Sequence, residues 1–259
     1  MNDKLEALFV SPHFDDVVLS CGGTASLLAS IGRVVITTVF AAEPQAELNR
    51  FAKFQHQRWG IGGPVVDLRR REDIAAMNTL GVDYQWLDFP DAIYRGDLYL
   101  SDDELFGPVN AADRTLALAV HDALSDLIQT SEAARVYLPL AVGGHVDHRI
   151  CREVAVSLVE TGRQIWLYED LPYTLTDGAV EVALGDATDR LSPDLVDVTS
   201  TFEQRLAAIA CYESQLPTIF RHYGEPDRLL RAYASRLSGQ PDRFVERFWK
   251  PYSPFLAFS

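Results

Sequence analysis

The feature that most constrains this chain is a junction that occurs twice: an apolar, strand-like run that stops at a cluster of histidine and aspartate. Leu5-Glu6-Ala7-Leu8-Phe9-Val10 ends at Ser11-Pro12-His13-Phe14-Asp15-Asp16. Arg135-Val136-Tyr137-Leu138-Pro139-Leu140 ends just before Gly144-His145-Val146-Asp147-His148. Short apolar runs of this kind suit strands buried on both faces of a parallel sheet. Open α/β sheets gather their ligands outside the carboxyl ends of such strands, so two distant clusters are expected to meet in one crevice. Together the clusters hold three of the 6 histidines. They supply the ligands of an open metal site, a spare carboxylate and a second histidine. Metal-assisted hydrolysis of an unreactive amide needs that set.

The intervening sequence fits this reading. Residues 24–31 have a helical pattern stopped by Gly32, after a Gly22-Gly23 pair read as a close-packing turn. Residues 34–40 are β-branched and read as a buried strand. Helices are expected over 69–80, 113–130, 147–160 and 202–212, and strands over 84–87 and 164–168. Alternation of this kind predicts a Rossmann-like α/β fold, a mostly parallel sheet flanked by helices with right-handed crossovers. Residues 42–68, with Trp59, Gly60, Gly62, Gly63 and Pro64, read as a long loop over the site, and 88–110 as a second. Residues 172–193 read as a β-hairpin or a disordered excursion. The tail from Gly224, with Arg231, Arg236, Phe248, Trp249 and Tyr252, is expected to pack on the domain or on a partner subunit. The whole chain, 1–259, reads as one domain with its core over about 5–215.

Composition narrows the function. A chain of 259 residues, 47% hydrophobic, can bury a sizeable core. No apolar run reaches membrane-spanning length, so no membrane insertion is expected. Met1-Asn2-Asp3-Lys4-Leu5 has no secretory pattern, and Cys21, Cys151 and Cys211 form no metal-binding or disulfide pattern, which fits a cytoplasmic protein. A formal charge of −14 argues against nucleic acid as a partner. Self-association stays open.

Ser11-Pro12-His13-Phe14-Asp15-Asp16, continued by Leu19-Ser20-Cys21-Gly22-Gly23-Thr24, resembles the signature of the PIG-L/LmbE-like zinc N-deacetylases, and His145-Val146-Asp147-His148 resembles their second signature. Weaker likenesses are Arg69-Arg70-Arg71-Glu72, Leu80-Gly81-Val82, Pro90-Asp91 and Tyr212-Glu213-Ser214-Gln215. The resemblance implies a zinc-dependent deacetylase acting on N-acetylglucosaminyl compounds. It implies His13, Asp16 and His148 as ligands of Zn2+, or of another divalent transition metal, with Asp15 as general base. His145, as imidazolium, would stabilise the oxyanion. Asp147 would keep it charged, and Arg69 and Asp91 would contact a small N-acylated sugar-type substrate. The family usually reads His-Pro-Asp-Asp-Glu; here Phe14 replaces the proline and Val17 the glutamate.

Other readings of the same residues stand beside these. Asp15 and Asp16 suit a helix N-cap, His145 to His148 and Arg69 to Glu72 a solvated helix start, and Asp91 a turn. His56, His121 and His222 read as ordinary histidines with local partners. Two rival functions remain: a deacylase of a thiol conjugate or natural-product scaffold, and a non-catalytic glycan-binding module.

Overall fold

A computed structural model describes residues 5–60, 63–159 and 163–251. The apolar runs form strands β1 (Leu5–Ser11), β2 (Arg33–Thr38), β3 (Asp83–Trp86), β4 (Arg135–Pro139) and β5 (Ile165–Tyr168). These five are parallel, and Phe9 of β1 lies level with Ile36 of β2 and Tyr137 of β4. Two more strands, β6 (Leu191–Asp197) and β7 (Val245–Pro251), complete a seven-stranded sheet in the order β3-β2-β1-β4-β5-β7-β6. The chain runs outward from β1 through β2 to β3, then restarts at β4 on the other side of β1. The strand order therefore reverses between β1 and β4, and a crevice opens at their carboxyl ends.

Alternate residues of each strand face opposite layers. Ala7 and Phe9 pack under helices α1 (Asp16–Ala29), α3 (Val65–Leu80), α8 (Phe202–Ile209) and α10 (Pro226–Ser238). Leu8 and Val10 pack under α5 (Arg114–Ser131) and α6 (Val146–Val159). Shorter helices α2 (Arg50–Arg58), α4 (Asp102–Leu105), α7 (Ala179–Leu184) and α9 (Leu216–Ile219) lie in the connections. The expected α/β architecture is the one observed.

Several local expectations are corrected. The first helix starts at Asp16, so Gly22 and Gly23 lie inside it, past a kink at Cys21 (φ −148°, ψ 27°). Close packing explains them: a Cβ on Gly23 would sit 2.8 Å from Glu246 Oε1 and 2.9 Å from Val198 Cβ. The kink frees backbone donors, and Glu246 takes those of Gly23 (3.0 Å) and Thr24 (2.8 Å). Residues 42–68 are not one loop. Helix α2 interrupts them, capped by Asn49, whose side chain accepts from the Ala52 amide at 2.7 Å, and α3 already starts at Val65. Residues 172–193 form no hairpin, since β6 pairs with β7 more than fifty residues later. The described part of the tail does pack on the domain, as α10 against the core and as β7 in the sheet, antiparallel to both β5 and β6. Gly62, Tyr252 and the expected helix end at Glu160 lie outside the described residues.

Candidate active site

Each cluster is delivered by the turn that leaves its strand. After β1 the chain bends through residues 12–15 into α1. Ser11 Oγ donates to the His13 carbonyl (2.5 Å) and accepts from the Val17 amide (3.2 Å), which fixes that bend. After β4 the turn passes through Gly143 (φ +86°), where a Cβ would meet the Tyr173 ring at 2.6 Å. Only glycine suits that backbone and that gap.

The two turns bring His13, Asp16 and His148 together, with one ligand atom from each within 4.8 Å of the others. Asp16 Oδ2 lies 3.2 Å from His13 Nδ1 and 3.3 Å from His148 Nε2. The far nitrogens of both rings meet carboxylates: His13 Nε2 meets Asp147 Oδ2 at 3.0 Å, and His148 Nδ1 meets Asp170 Oδ1 at 2.6 Å. A carboxylate behind an imidazole fixes its tautomer and turns the other lone pair toward a metal. This donor set, two nitrogens and one oxygen, fits a zinc site with room for further ligands. His13, His145 and Asp147 are equally close. There, however, the Asp147 oxygens are taken by Arg95, by His13 and by the Ala92 amide.

The charges follow from burial. Desolvation opposes protonation of His148, yet Asp16 and Asp170 outweigh it and hold the ring up to about 10. His13 is likewise raised despite burial, with Asp91, Asp147 and Asp16 against it. Burial pushes the Asp16 carboxyl up, but the two histidines hold it well below its ordinary value. A cluster of this kind holds protons where a cation would otherwise sit. Asp15 is raised, chiefly by burial and against the pull of Arg69.

His145 and Asp147 depart from expectation. His145 precedes α6, and its ring stacks edge-on to His13 at 4.9 Å. Burial and the neighbouring His13 push it well below 6.5, and the attraction of Asp147 is too weak to reverse this. The Asp147 carboxylate faces Arg95 and His13 instead, while its backbone amide donates to His145 Nδ1 at 3.2 Å. His145 Nδ1 therefore accepts, which leaves Nε2 as the ring nitrogen able to donate.

Arg69 is buried, not solvated. It lies 3.8 Å from Asp15 and 3.9 Å from Asp91. Asp91 serves a turn, accepting from the Ile93 amide at 3.2 Å, and also lines the cavity. That cavity, about 300 Å³, is bounded by His13, Asp15, Asp16, Arg69, Asp91 and His145, with Trp59, Phe106 and Tyr173 along its walls. His56 pairs with the Tyr94 hydroxyl and His121 with Ser157, as ordinary histidines do, and exposed His222 touches Arg221 beside it.

Residues 8–159 match the PIG-L family, described as GlcNAc-PI de-N-acetylase. The chain belongs to this family. It is 36% identical over 264 residues to 2'-N-acetylparomamine deacetylase of Streptomyces fradiae, an alignment covering 94% of this chain and 89% of that one. The enzyme of the same name from Niallia circulans is 32% identical over 191 residues, or 66% of this chain and 68% of that one. Among solved structures, a deacetylase of teicoplanin biosynthesis superposes with a TM-score of 0.82 at 27% identity, covering 95% of this chain and 97% of that one. The A40926 pseudoaglycone deacetylase gives 0.77 at 28%, covering 96% and 97%. Among the described residues no helix is long and apolar enough to cross a membrane.

Sequence reasoning missed Asp170, Arg95, Asp113 and Glu246. Asp170 had a signal, because it follows the apolar strand β5 just as His13 follows β1. Arg95 had none. It sits in the irregular 88–110 stretch, yet its guanidinium is buried between Asp113 (2.8 Å) and Asp147.

Proposed function

We propose that this chain is a zinc-dependent N-deacetylase that removes the acetyl group from an N-acetylated amino sugar within an aminoglycoside-type glycoside. The observation that carries this reading is that Asp15 and His145 line the same cavity as His13 and Asp16, which stand together with His148 behind them. A binding module has no use for a carboxylate and an imidazole in one cavity beside a metal-ligand set. The relation to the paromamine deacetylases supports the sugar class. A formal charge of −14 favours a substrate whose other amines are cationic.

His13, Asp16 and His148 would hold the zinc, with Asp147 and Asp170 orienting the two rings. Bound there, zinc supplies Lewis acidity toward the amide carbonyl and lowers the pKa of a water to about 7. Asp15 takes the proton of the attacking water and returns it to the leaving amine. The His145 Nε2–H donates to the oxygen that becomes negative as the carbonyl turns tetrahedral. A neutral donor suffices, because what counts is a dipole fixed in advance within a buried site. Arg69 and Asp91 bind sugar hydroxyls.

The test is amine release from 2'-N-acetylparomamine by zinc-loaded protein and by Asp15→Asn. The reading expects release by the first and a loss of about 100-fold or more in kcat for the second, at unchanged zinc content. Turnover that survives Asp15→Asn would end the assignment of the base. No release from any N-acetylated amino sugar would end the functional reading.

A further inference from the structure

Arg69 is unusual among the buried cations of this protein. Arg95 is tied to two carboxylates at short range, and Arg205 to Glu246 at 3.2 Å and to the Leu19 carbonyl. Arg69 is as buried as these, yet it makes no hydrogen bond to any described residue. Its carboxylate neighbours, at 3.8 and 3.9 Å, compensate its charge but lie beyond hydrogen-bonding reach. What holds the guanidinium is aromatic. Its Cζ lies over the Phe14 ring at 5.2 Å and over the Trp59 ring at 5.4 Å.

Both rings are braced from elsewhere. Trp86 meets Phe14 edge-on at 5.9 Å, and the Phe14 carbonyl accepts from the Tyr212 hydroxyl at 2.8 Å. Trp59 stacks on His56 at 5.5 Å, and His56 is held by the Tyr94 hydroxyl at 2.7 Å. A guanidinium seated on ring faces keeps its in-plane N–H donors free. Those donors border the cavity beside Asp15 and Asp91.

We infer that Phe14 and Trp59 are positioning residues, which seat Arg69 so that it selects a substrate bearing a hydroxyl next to the acetamido carbon. Such a hydroxyl fills the gap that the structure leaves: its oxygen accepts from Arg69 while its proton goes to a carboxylate. An acetamide on a bare hydrocarbon ring offers nothing there and leaves the buried donors unpaired. The inference deepens the deacetylase reading and rests on it for the choice of substrate. Phe14 occupies the position where the family pattern has proline, which has no aromatic face to offer.

The experiment measures calorimetric binding of methyl N-acetylglucosaminide and of N-cyclohexylacetamide, which carries the same amide on a ring without hydroxyls. Phe14→Leu and Trp59→Leu should each weaken the sugar by about 3- to 30-fold, the range of a lost cation–π contact, and weaken N-cyclohexylacetamide much less. Phe14→Tyr should restore sugar binding. In an Arg69→Lys background Phe14→Leu should add nothing, because its effect passes through the guanidinium. Equal losses for both ligands, or full additivity with Arg69→Lys, would overturn the inference. If Phe14→Leu fails to fold, the half-buried Trp59→Leu decides by the same criteria. Binding separates this inference from the functional reading: sugar bound with the predicted pattern but never deacetylated upholds the aromatic seat and sinks the deacetylase.

Discussion

Asp170 offers the sharpest perturbation of the proposed metal site, because its two oxygens do different work. Oδ1 meets His148 Nδ1 at 2.6 Å, and Oδ2 accepts from the Val142 amide at 2.8 Å, with the side chain almost wholly buried. Alanine removes both contacts. The orphaned Val142 N–H costs about 1–3 kcal/mol of stability, and losing the carboxylate behind His148 should weaken zinc about 10- to 100-fold. Asparagine behaves differently. If its oxygen keeps Val142, its NH₂ points at His148 Nδ1, which must then accept. The ring proton moves to Nε2, the atom beside Asp16, and the lone pair that a metal needs is gone. If the amide flips to spare His148, a donor faces the Val142 N–H and stability falls. Asp170→Asn should therefore bind zinc more weakly than Asp170→Ala while being the more stable metal-free protein, or it should show the reverse in both. Zinc affinity by competition with a chromophoric chelator, with urea unfolding of the metal-free proteins, measures the two quantities separately. An Asp170→Asn protein matching wild type in both would refute the reasoning.

Three further outcomes are expected. His13 and His148 are raised when no metal is bound, so zinc binding at pH 7 should expel about two protons; calorimetry in buffers of different ionisation enthalpy counts them, and a count of zero would contradict the cluster. Glu246→Ala strands the Gly23 and Thr24 amides and leaves Arg205 without its carboxylate, so denaturant unfolding should register about 3–5 kcal/mol of lost stability; under 1 kcal/mol would mean the kink is satisfied otherwise. Burial pushes Asp73 up to about 7, outweighing hydrogen bonds from Trp86 and Tyr212. Between pH 4 and 7 the folded state then holds a proton that the unfolded state has lost, and stability should fall as pH rises through that window. The Tyr212 hydroxyl faces two oxygens at 2.8 Å, those of Asp73 and Phe14. One proton serves only one of them, so Tyr212 does little to keep Asp73 charged and the buried carboxyl stays protonated in the folded state. Asp73→Asn mimics that state and should flatten the pH dependence; an unchanged slope would show that another group titrates.

The sequence by itself determined the parallel strands, the principal helices, and the ends of β1 and β4 at which His13, Asp15, Asp16, His145 and His148 would stand. It could do so because hydrophobic period and run length are local, and because the side of a parallel sheet that receives such residues follows from strand direction alone. Only the tertiary structure decided which partner each polar group would have. Asp147 lies two residues from His145 in the chain, yet its carboxylate goes to Arg95, 52 residues away, and to His13, 134 away. Glu246 reaches back 223 residues to the kink in the first helix, and β7 enters the sheet between β5 and β6. Buried charge must find an opposite charge or a hydrogen bond wherever the fold offers one. That choice depends on side-chain direction and sheet order, which no local pattern encodes.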